Sequence, residues 1–150
     1  MTTKTASFLS LDDILTRDTK DLAKLPQGEF FVTKLQGKVP WTTVDQPEYK
    51  AAKKGCFKLK PTKKGQKPEM DFDDDKLKIR LIIEVVDKDP RSDFTFASKP
   101  LLEKLGVTTA EQAVERLVSP GEIHNWAMEI QETAGFSDEA QEEAAEDIKN

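Results

Sequence analysis

Apolar residues recur at helical spacing between Leu117 and Phe136, and the sequence specifies both ends of the predicted helix. Ser119 stands at the N-cap position, Pro120 follows at the first helical position, and Glu122 has the spacing of a capping box. Gly135 supplies the left-handed residue that commonly follows a helix. This segment is therefore predicted as an amphipathic helix, whose apolar stripe consists of Ile123, Trp126, Ala127, Ile130 and Ala134.

The segment from Asp71 to Val86 fits two periodicities. Alternate residues are apolar, as in a strand: Leu77, Ile79, Leu81, Ile83 and Val85. A helical stripe fits as well: Phe72, Ile79, Ile82, Ile83 and Val86. Four aspartates between positions 71 and 75 favour a helix, because acidic side chains complement the dipole at a helix N-terminus. We predict a helix.

Strand-forming residues occur earlier in the chain, in two stretches that are separated by a turn. Glu29 to Leu35 is rich in aromatic and β-branched residues, and Val39 to Val44 contains Trp41. Pro40 favours an edge position for the second strand, because proline has no N–H to donate. Together the two stretches predict a β-hairpin near the N-terminus.

Capping signals predict shorter helices elsewhere. Their N-caps are Ser10, Asp45, Ser98 and Thr108. Glu111 completes a capping box with Thr108. Two segments are predicted as loops, Asp18–Gly28 and the lysine-rich Pro61–Pro68. The predicted fold class is α+β and mostly α-helical, with a short N-terminal β-hairpin region followed by about five helices.

Composition indicates one domain with an unevenly distributed charge. The chain has 150 residues and a net charge of −5. Eight lysines and no acidic residue lie between Lys50 and Lys67, whereas six acidic residues and no basic one lie between Asp138 and Asp147. We predict a single domain over residues 1–136 and an acidic tail over residues 137–150, either helical or disordered.

Two further patterns bear on location. The longest apolar run, Leu81–Ile83, is too short to cross a membrane. The first seven residues lack the apolar core of a signal peptide. The sequence therefore predicts a cytoplasmic protein with no membrane partner.

The candidate catalytic and metal-binding residues form no known constellation. Asp71, Asp73 and Asp75 have the spacing of a calcium loop, but Lys76 and Ile82 stand where its glycine and its bidentate glutamate belong. The aspartates are therefore interpreted as a charged helix start. We predict no catalytic residue, no cofactor and no metal site. An enzyme would need scattered carboxylates, which predicts a deep pocket with perturbed pKa values.

The only histidine and the only cysteine are each interpreted as ordinary structural residues. His124 lies beside the apolar stripe of its predicted helix and has no histidine or cysteine partner for zinc. Cys56 lies among lysines, which can lower a thiol pKa, but a buried small residue is the favoured interpretation.

The lysine-rich stretch Lys50–Lys67 supports an alternative function, nucleic-acid binding. Tyr49 and Phe57 lie in or beside it and provide rings that bases can stack on. The acidic net charge and the lack of RNP and KH motifs make nucleic acid the less favoured partner. The other interpretation is a solvated lysine loop that meets the acidic tail of this or a neighbouring subunit.

The order of these motifs resembles the XkdN-like tail assembly chaperones of long-tailed phages and prophages of Gram-positive bacteria. The resemblance covers Phe30 to Phe136. It rests on the aromatic strand, on Gly-Lys-Val-Pro-Trp-Thr-Thr-Val, on Lys-Lys-Gly-Cys-Phe-Lys, on Asp-Phe-Asp-Asp-Asp and on Ser-Pro-Gly-Glu-Ile with its closing Gly-Phe. The roles of residues 1–29 and of the acidic tail lie outside it.

The resemblance implies a protein that is not an enzyme and that binds the tape measure protein in the bacterial host cell. Such chaperones keep this long helical partner soluble until the tail tube polymerises around it. A homo-oligomer, or a longer form made by ribosomal frameshifting, is a further partner that the family implies. We predict that apolar residues of the hairpin, Phe30, Phe31 and Trp41, contact the partner together with an exposed part of the C-terminal helices.

Overall fold

The structure is a computed structural model that describes residues 8–60 and 62–136. The predicted acidic tail, residues 137–150, lies outside the described residues. The described part contains seven helices and four strands. In chain order they are α1 (Leu11–Leu15), α2 (Thr19–Ala23), β1 (Gln27–Val32), β2 (Gly37–Thr42), α3 (Gln46–Lys54), β3 (Phe57–Lys60), β4 (Glu69–Phe72), α4 (Asp74–Asp87), α5 (Lys99–Leu105), α6 (Ala110–Leu117) and α7 (Pro120–Thr133).

Helix α4 occupies the centre of the core and settles the choice between strand and helix in favour of the helix. The Asp73 side chain accepts a hydrogen bond from the Lys76 N–H at 3.1 Å and caps the helix. The buried side chains form one stripe, with adjacent pairs at 81/82 and 85/86 that are one turn apart, rather than alternating, because a helix turns once in about 3.6 residues. They are Leu77, Leu81, Ile82, Val85 and Val86.

Helix α7 packs against α4 and begins and ends as the sequence predicts. Ser119 and Glu122 form the capping box, and Pro120 is the first helical residue. Gly135 has a φ of 99°, the left-handed conformation that glycine adopts without strain. Trp126 and Ile130 are fully buried against the core.

The first hairpin pairs β1 with β2 in antiparallel register and alternates cleanly between its two faces. Val32, Val39 and Trp41 are buried on the inner face. Trp41 pairs with Gly28, and a Cβ atom at Gly28 would come within 2.5 Å of Cζ2 of the Trp41 ring. A glycine is therefore required here by the close approach of the indole.

The predicted order of a hairpin followed by about five helices is wrong, although the α+β class holds. Two helices precede the first hairpin, and the four strands form two separate two-stranded sheets. The sequence pattern predicted α1 from its cap at Ser10, but it assigned α2 to a loop. Helix α2 has five residues and none of them is buried, so no apolar periodicity marks it.

The second hairpin, β3 with β4, was not predicted: its strands lie on either side of the predicted loop Pro61–Pro68, and β4 takes the place of the predicted start of a helix at Asp71. Phe57 and Leu59 pair with Phe72 and Met70, so these four side chains share one face. Asp71 lies in β4, and α4 begins only after Asp73. The run of aspartates therefore spans a strand end and a helix start. The alternation of apolar and charged residues on both strands is the signal that was missed.

Helix α6 shows a smaller displacement. Its N-cap is Thr109 and its capping-box partner is Gln112, one residue after the predicted pair Thr108 and Glu111. Helix α5 ends at Gly106 with a φ of 69°, as predicted.

Within residues 8–60 and 62–136, none of the helices has the length and apolar character needed to cross a bilayer.

Candidate partner-binding surfaces

The three hairpin aromatics that were predicted to bind a partner lie in different environments. Trp41 is fully buried, and Phe30 is partly buried with its ring stacked on Trp126 at 4.7 Å between centroids. Phe31 points from the opposite face of β1 and keeps 49% of its surface exposed. The roles of Phe30, Phe31 and Trp41 in partner binding stay predictions. No local pattern indicates that Trp126, about a hundred residues later, covers Phe30.

The turn of the first hairpin is fixed to the start of α7. Thr33 donates its backbone N–H and its hydroxyl to Oε2 of Glu122, each at 3.0 Å. The Lys34 ammonium donates to the carbonyl of Arg116 at 2.7 Å. Hydrogen bonds from Thr33, followed by those from Ser119, lower the pKa of the Glu122 carboxyl to about 2. The exposed face of the hairpin, with Phe31, is therefore held in place by ionised Glu122.

A second polar cluster fixes the other end of this hairpin. Asp89 is buried and accepts a hydrogen bond from the Thr42 hydroxyl at 2.8 Å. Arg91 donates to Asp89 at 2.8 Å and to the carbonyl oxygens of Gly28 and Trp41 at 2.9 and 3.2 Å. The Arg91 side chain holds the pKa of the Asp89 carboxyl at about 2. The cluster satisfies polar groups that the hairpin would otherwise leave unpaired.

The second hairpin presents the most exposed apolar surface of the sheets. Leu59 and Met70 face each other across the strands and keep 68% and 61% of their surface exposed. Phe57 is 45% exposed, and its ring contacts that of Phe72 at 5.2 Å between centroids. Phe72 packs on the core and thereby attaches the hairpin to it. We call Phe57, Leu59 and Met70 the arm face; no element among the described residues covers this apolar surface.

The opposite face of the second hairpin carries charges of both signs. In the strand register Lys58 lies opposite Asp71, and Lys60 lies opposite Glu69. The Lys58 ammonium also forms an ion pair with Asp73 at 3.6 Å. Acidic neighbours therefore offset part of the basic stretch that suggested nucleic-acid binding. This arrangement weakens that alternative, since it leaves fewer free cations to neutralise phosphates.

The N-terminal part of the described chain is also apolar and exposed. Helix α1 has no buried residue, and its Leu11 and Leu15 face solvent. Phe8 and Leu9 precede it and are exposed as well. The sequence predicted a short helix here but gave no reason to expect that its apolar face would remain uncovered.

A groove of about 500 Å³ between α3, α4 and the start of α6 contains the carboxylates that an enzyme would need. Burial, followed by the charge of Glu48, raises the pKa of the Glu84 carboxyl. Glu48 itself is held by Lys88 at 2.5 Å and accepts a hydrogen bond from the Asp45 N–H at 3.0 Å in the cap of α3. These contacts give the carboxylates of Glu48 and Glu84 a structural role, because they lie where α3 joins α4.

The remaining candidate residues are dispersed. His124 is exposed, with its Nδ1 atom 3.3 Å from the Lys78 ammonium. Cys56 is buried with its thiol 3.2 Å from the carbonyl of Ala52, and burial raises its pKa. Within residues 8–60 and 62–136, no three His, Cys, Asp or Glu side chains gather in a way that could hold a metal ion.

Comparisons with known proteins agree with the fold and give the family. The crystal structure of the protein yqbn is similar, with a TM-score of 0.53 over 76% of this chain and 88% of that chain. The two sequences are 18% identical, so this likeness concerns the fold alone. Among curated proteins, none matches the chain. The family model of the XkdN-like phage tail assembly chaperones matches residues 11–149, and the chain therefore belongs to this family of assembly proteins, which is not a family of enzymes.

Proposed function

We propose that this protein binds the tape measure protein of its phage or prophage and keeps it soluble in the host cytoplasm while the tail is assembled. Family membership supports the general role in tail assembly. The observation that carries the finer proposal is the arm face, where Leu59 and Met70 stay largely exposed on a sheet attached to the core. A folded protein that exposes apolar side chains in this way gains by covering them with a partner.

The chemistry of the proposed partner fits such a surface. A tape measure protein that is not yet enclosed by the tail tube is a long helical chain, and its apolar stripes would associate with one another. An amphipathic helix binds well when its apolar side chains meet an apolar surface and its polar flanks meet charges. The arm face provides the first of these contacts, whereas Lys58, Lys60 and Glu69 project from the opposite face of the same hairpin and face away from a helix bound there.

The predicted site in the first hairpin contributes through Phe31. Phe31 is exposed on a hairpin that Glu122 and Asp89 hold at both ends, so it can contact a partner without any rearrangement. Phe30 and Trp41 support this surface from inside, through the stack on Trp126 and the close contact with Gly28. In the proposed function their part is to position the hairpin.

The proposal is tested by co-purification. A tagged form of this chain is expressed together with the long, helix-rich protein encoded near it, and the complex is captured in about 0.5 M NaCl, where exposed ion pairs are largely screened. Recovery of the partner at this salt concentration is expected, because apolar contacts persist in salt. Loss of the partner at high salt, or its absence at low salt as well, contradicts the proposal.

A further inference from the structure

We propose that the acidic segment 137–150 of this chain docks on the basic face of α3, formed by Lys50, Lys53 and Lys54 of the same chain. We call these three lysines the basic strip. The inference goes beyond the proposed function and does not depend on it, because it concerns a contact within one chain. It assigns a partner to lysines for which the sequence left two interpretations open, nucleic-acid binding and a solvated loop that meets the acidic tail.

The position of Phe136 delivers the segment to α3. The Phe136 ring lies 5.0 Å from the ring of Tyr49, which belongs to the first half of α3. The N–H of Phe136 donates to the carbonyl of Gln131 at 2.8 Å, and Gly135 in its left-handed conformation turns the chain away from α7. Phe136, the residue that directly precedes the segment, therefore lies beside α3 and close to the basic strip.

The basic strip lies on one side of α3 and has no acidic partner among the described residues. Positions 50, 53 and 54 follow the spacing of neighbours on a helix surface. All three lysines are exposed. Among residues 8–60 and 62–136, none of them forms an ion pair; the Lys53 ammonium lies 5.7 Å from the centre of the Phe72 ring.

The segment has the complementary charge, spacing and length. It carries six acidic residues and one basic residue. Its glutamates at positions 139, 142, 143 and 146 repeat the spacing of the basic strip and add one further turn. Helix α3 has nine residues and is therefore about 14 Å long, a distance that fourteen residues cover even at about 1.5 Å per residue. The segment can thus reach every lysine of the strip without strain.

This contact would lower the attraction of the chain for polyanions. The basic strip, like Lys63, Lys64 and Lys67, belongs to the part of the lysine-rich stretch that the acidic residues of β4 do not offset. A covalently attached acidic segment has a high effective concentration at the strip, so it competes well with nucleic acid in solution. The lysines and the acidic segment would then form one electrostatic unit rather than two separate binding sites.

Zero-length carbodiimide cross-linking of the full-length protein tests the proposal, because it joins carboxylates to amines that are already in contact. An equal mixture of ¹⁵N-labelled and unlabelled protein separates links within one chain from links between two chains. We expect links from residues 138–147 to Lys50, Lys53 or Lys54 within one chain, and at least about a threefold loss of these links in 0.5 M NaCl. Lys99 and Lys104, which are exposed on α5, serve as internal controls.

A full-length variant with Glu139→Gln, Glu142→Gln, Glu143→Gln and Glu146→Gln provides the second measurement. Its affinity for a single-stranded oligothymidylate of about twenty nucleotides is expected to rise about tenfold over that of the natural chain at low salt. A control variant with Glu103→Gln and Glu115→Gln, both on exposed helix positions, is expected to bind less tightly than the tail variant. Links that reach α5 as often as α3, links that join two chains, or equal affinities of the two variants would each overturn the proposal.

Discussion

Thr33 and Glu122 are 89 residues apart in sequence, yet the backbone N–H and the hydroxyl of Thr33 both donate to one carboxylate oxygen of Glu122 at 3.0 Å. The other oxygen of the same carboxylate accepts from the N–H and the hydroxyl of Ser119 at 3.1 and 2.9 Å. One side chain thus completes the capping box of α7 and fixes the turn of the first hairpin. The most recognisable local motif of the sequence is therefore also a tertiary contact.

The substitution Glu122→Gln is expected to lower the free energy of unfolding by about 1 kcal/mol, since the site is partly exposed and each charge-assisted bond is worth little in water. The amide offers one acceptor oxygen where the carboxylate uses two. Urea denaturation measures the change. Glu115→Gln on α6, where the side chain is exposed, serves as the control and should leave the stability within about 0.5 kcal/mol. Equal stabilities of the two variants would contradict the assigned role of Glu122.

Acid is expected to weaken the fold through Glu122 and Asp89. The pKa of each carboxyl is lowered to about 2 in the folded protein. A lowered pKa stabilises the fold above the unfolded value of about 4, and this stabilisation is lost as the pH falls from about 4 to 2. Glu84, whose pKa is raised, contributes in the opposite sense, at pH values above about 4. Urea midpoints measured between pH 6 and 2 should fall less steeply for Glu122→Gln than for the natural chain.

Alanine at Trp41 and at Phe31 is expected to separate core from surface. Trp41 is fully buried, so Trp41→Ala should cost about 3–5 kcal/mol, enough to unfold many domains. Phe31 is half exposed, so Phe31→Ala should cost less than about 1 kcal/mol. Thermal unfolding followed by circular dichroism distinguishes the two. A stable Trp41→Ala variant would show that the hairpin does not pack as described.

The double substitution Leu59→Ser and Met70→Ser is expected to leave the fold intact and to reduce partner binding at least tenfold. The two side chains are largely exposed, so their removal costs little stability, whereas two apolar contacts at an interface are together worth about 1.4 kcal/mol or more. Met128→Ser, at an exposed position of α7, is the matched control. Partner recovery in the capture experiment is the readout. Unchanged recovery by the double variant would remove the arm face from the binding surface.

The sequence predicted those elements whose ends and apolar stripe are both local. Helix α7 with Ser119, Glu122 and Gly135 is the clearest case, and α4 was predicted correctly although alternation also fitted it. The second hairpin was missed because its strands have four residues each and expose nearly all of them. Its stability depends on the contact of Phe72 with the core, and no local pattern announces such a contact.

The candidate surface was harder to predict than the fold. Trp41 and Phe31 lie in the same hairpin, yet one is buried and the other exposed, because successive side chains of a strand point to opposite faces of the sheet. The sequence does not say which face a distant helix will cover. The arm face shows the converse: the sequence predicted no strand at Leu59 or Met70, and only the pairing of β3 with β4 brings the two side chains together.

If this chain keeps the tape measure protein soluble, the soluble fraction of that protein must depend on the presence of this chain. The long, helix-rich protein encoded nearby would be expressed alone, with this chain, and with the Leu59→Ser, Met70→Ser variant. The partner is expected to be largely insoluble alone, to become soluble with the natural chain and to stay largely insoluble with the variant. An unchanged soluble fraction in the presence of the natural chain would contradict it.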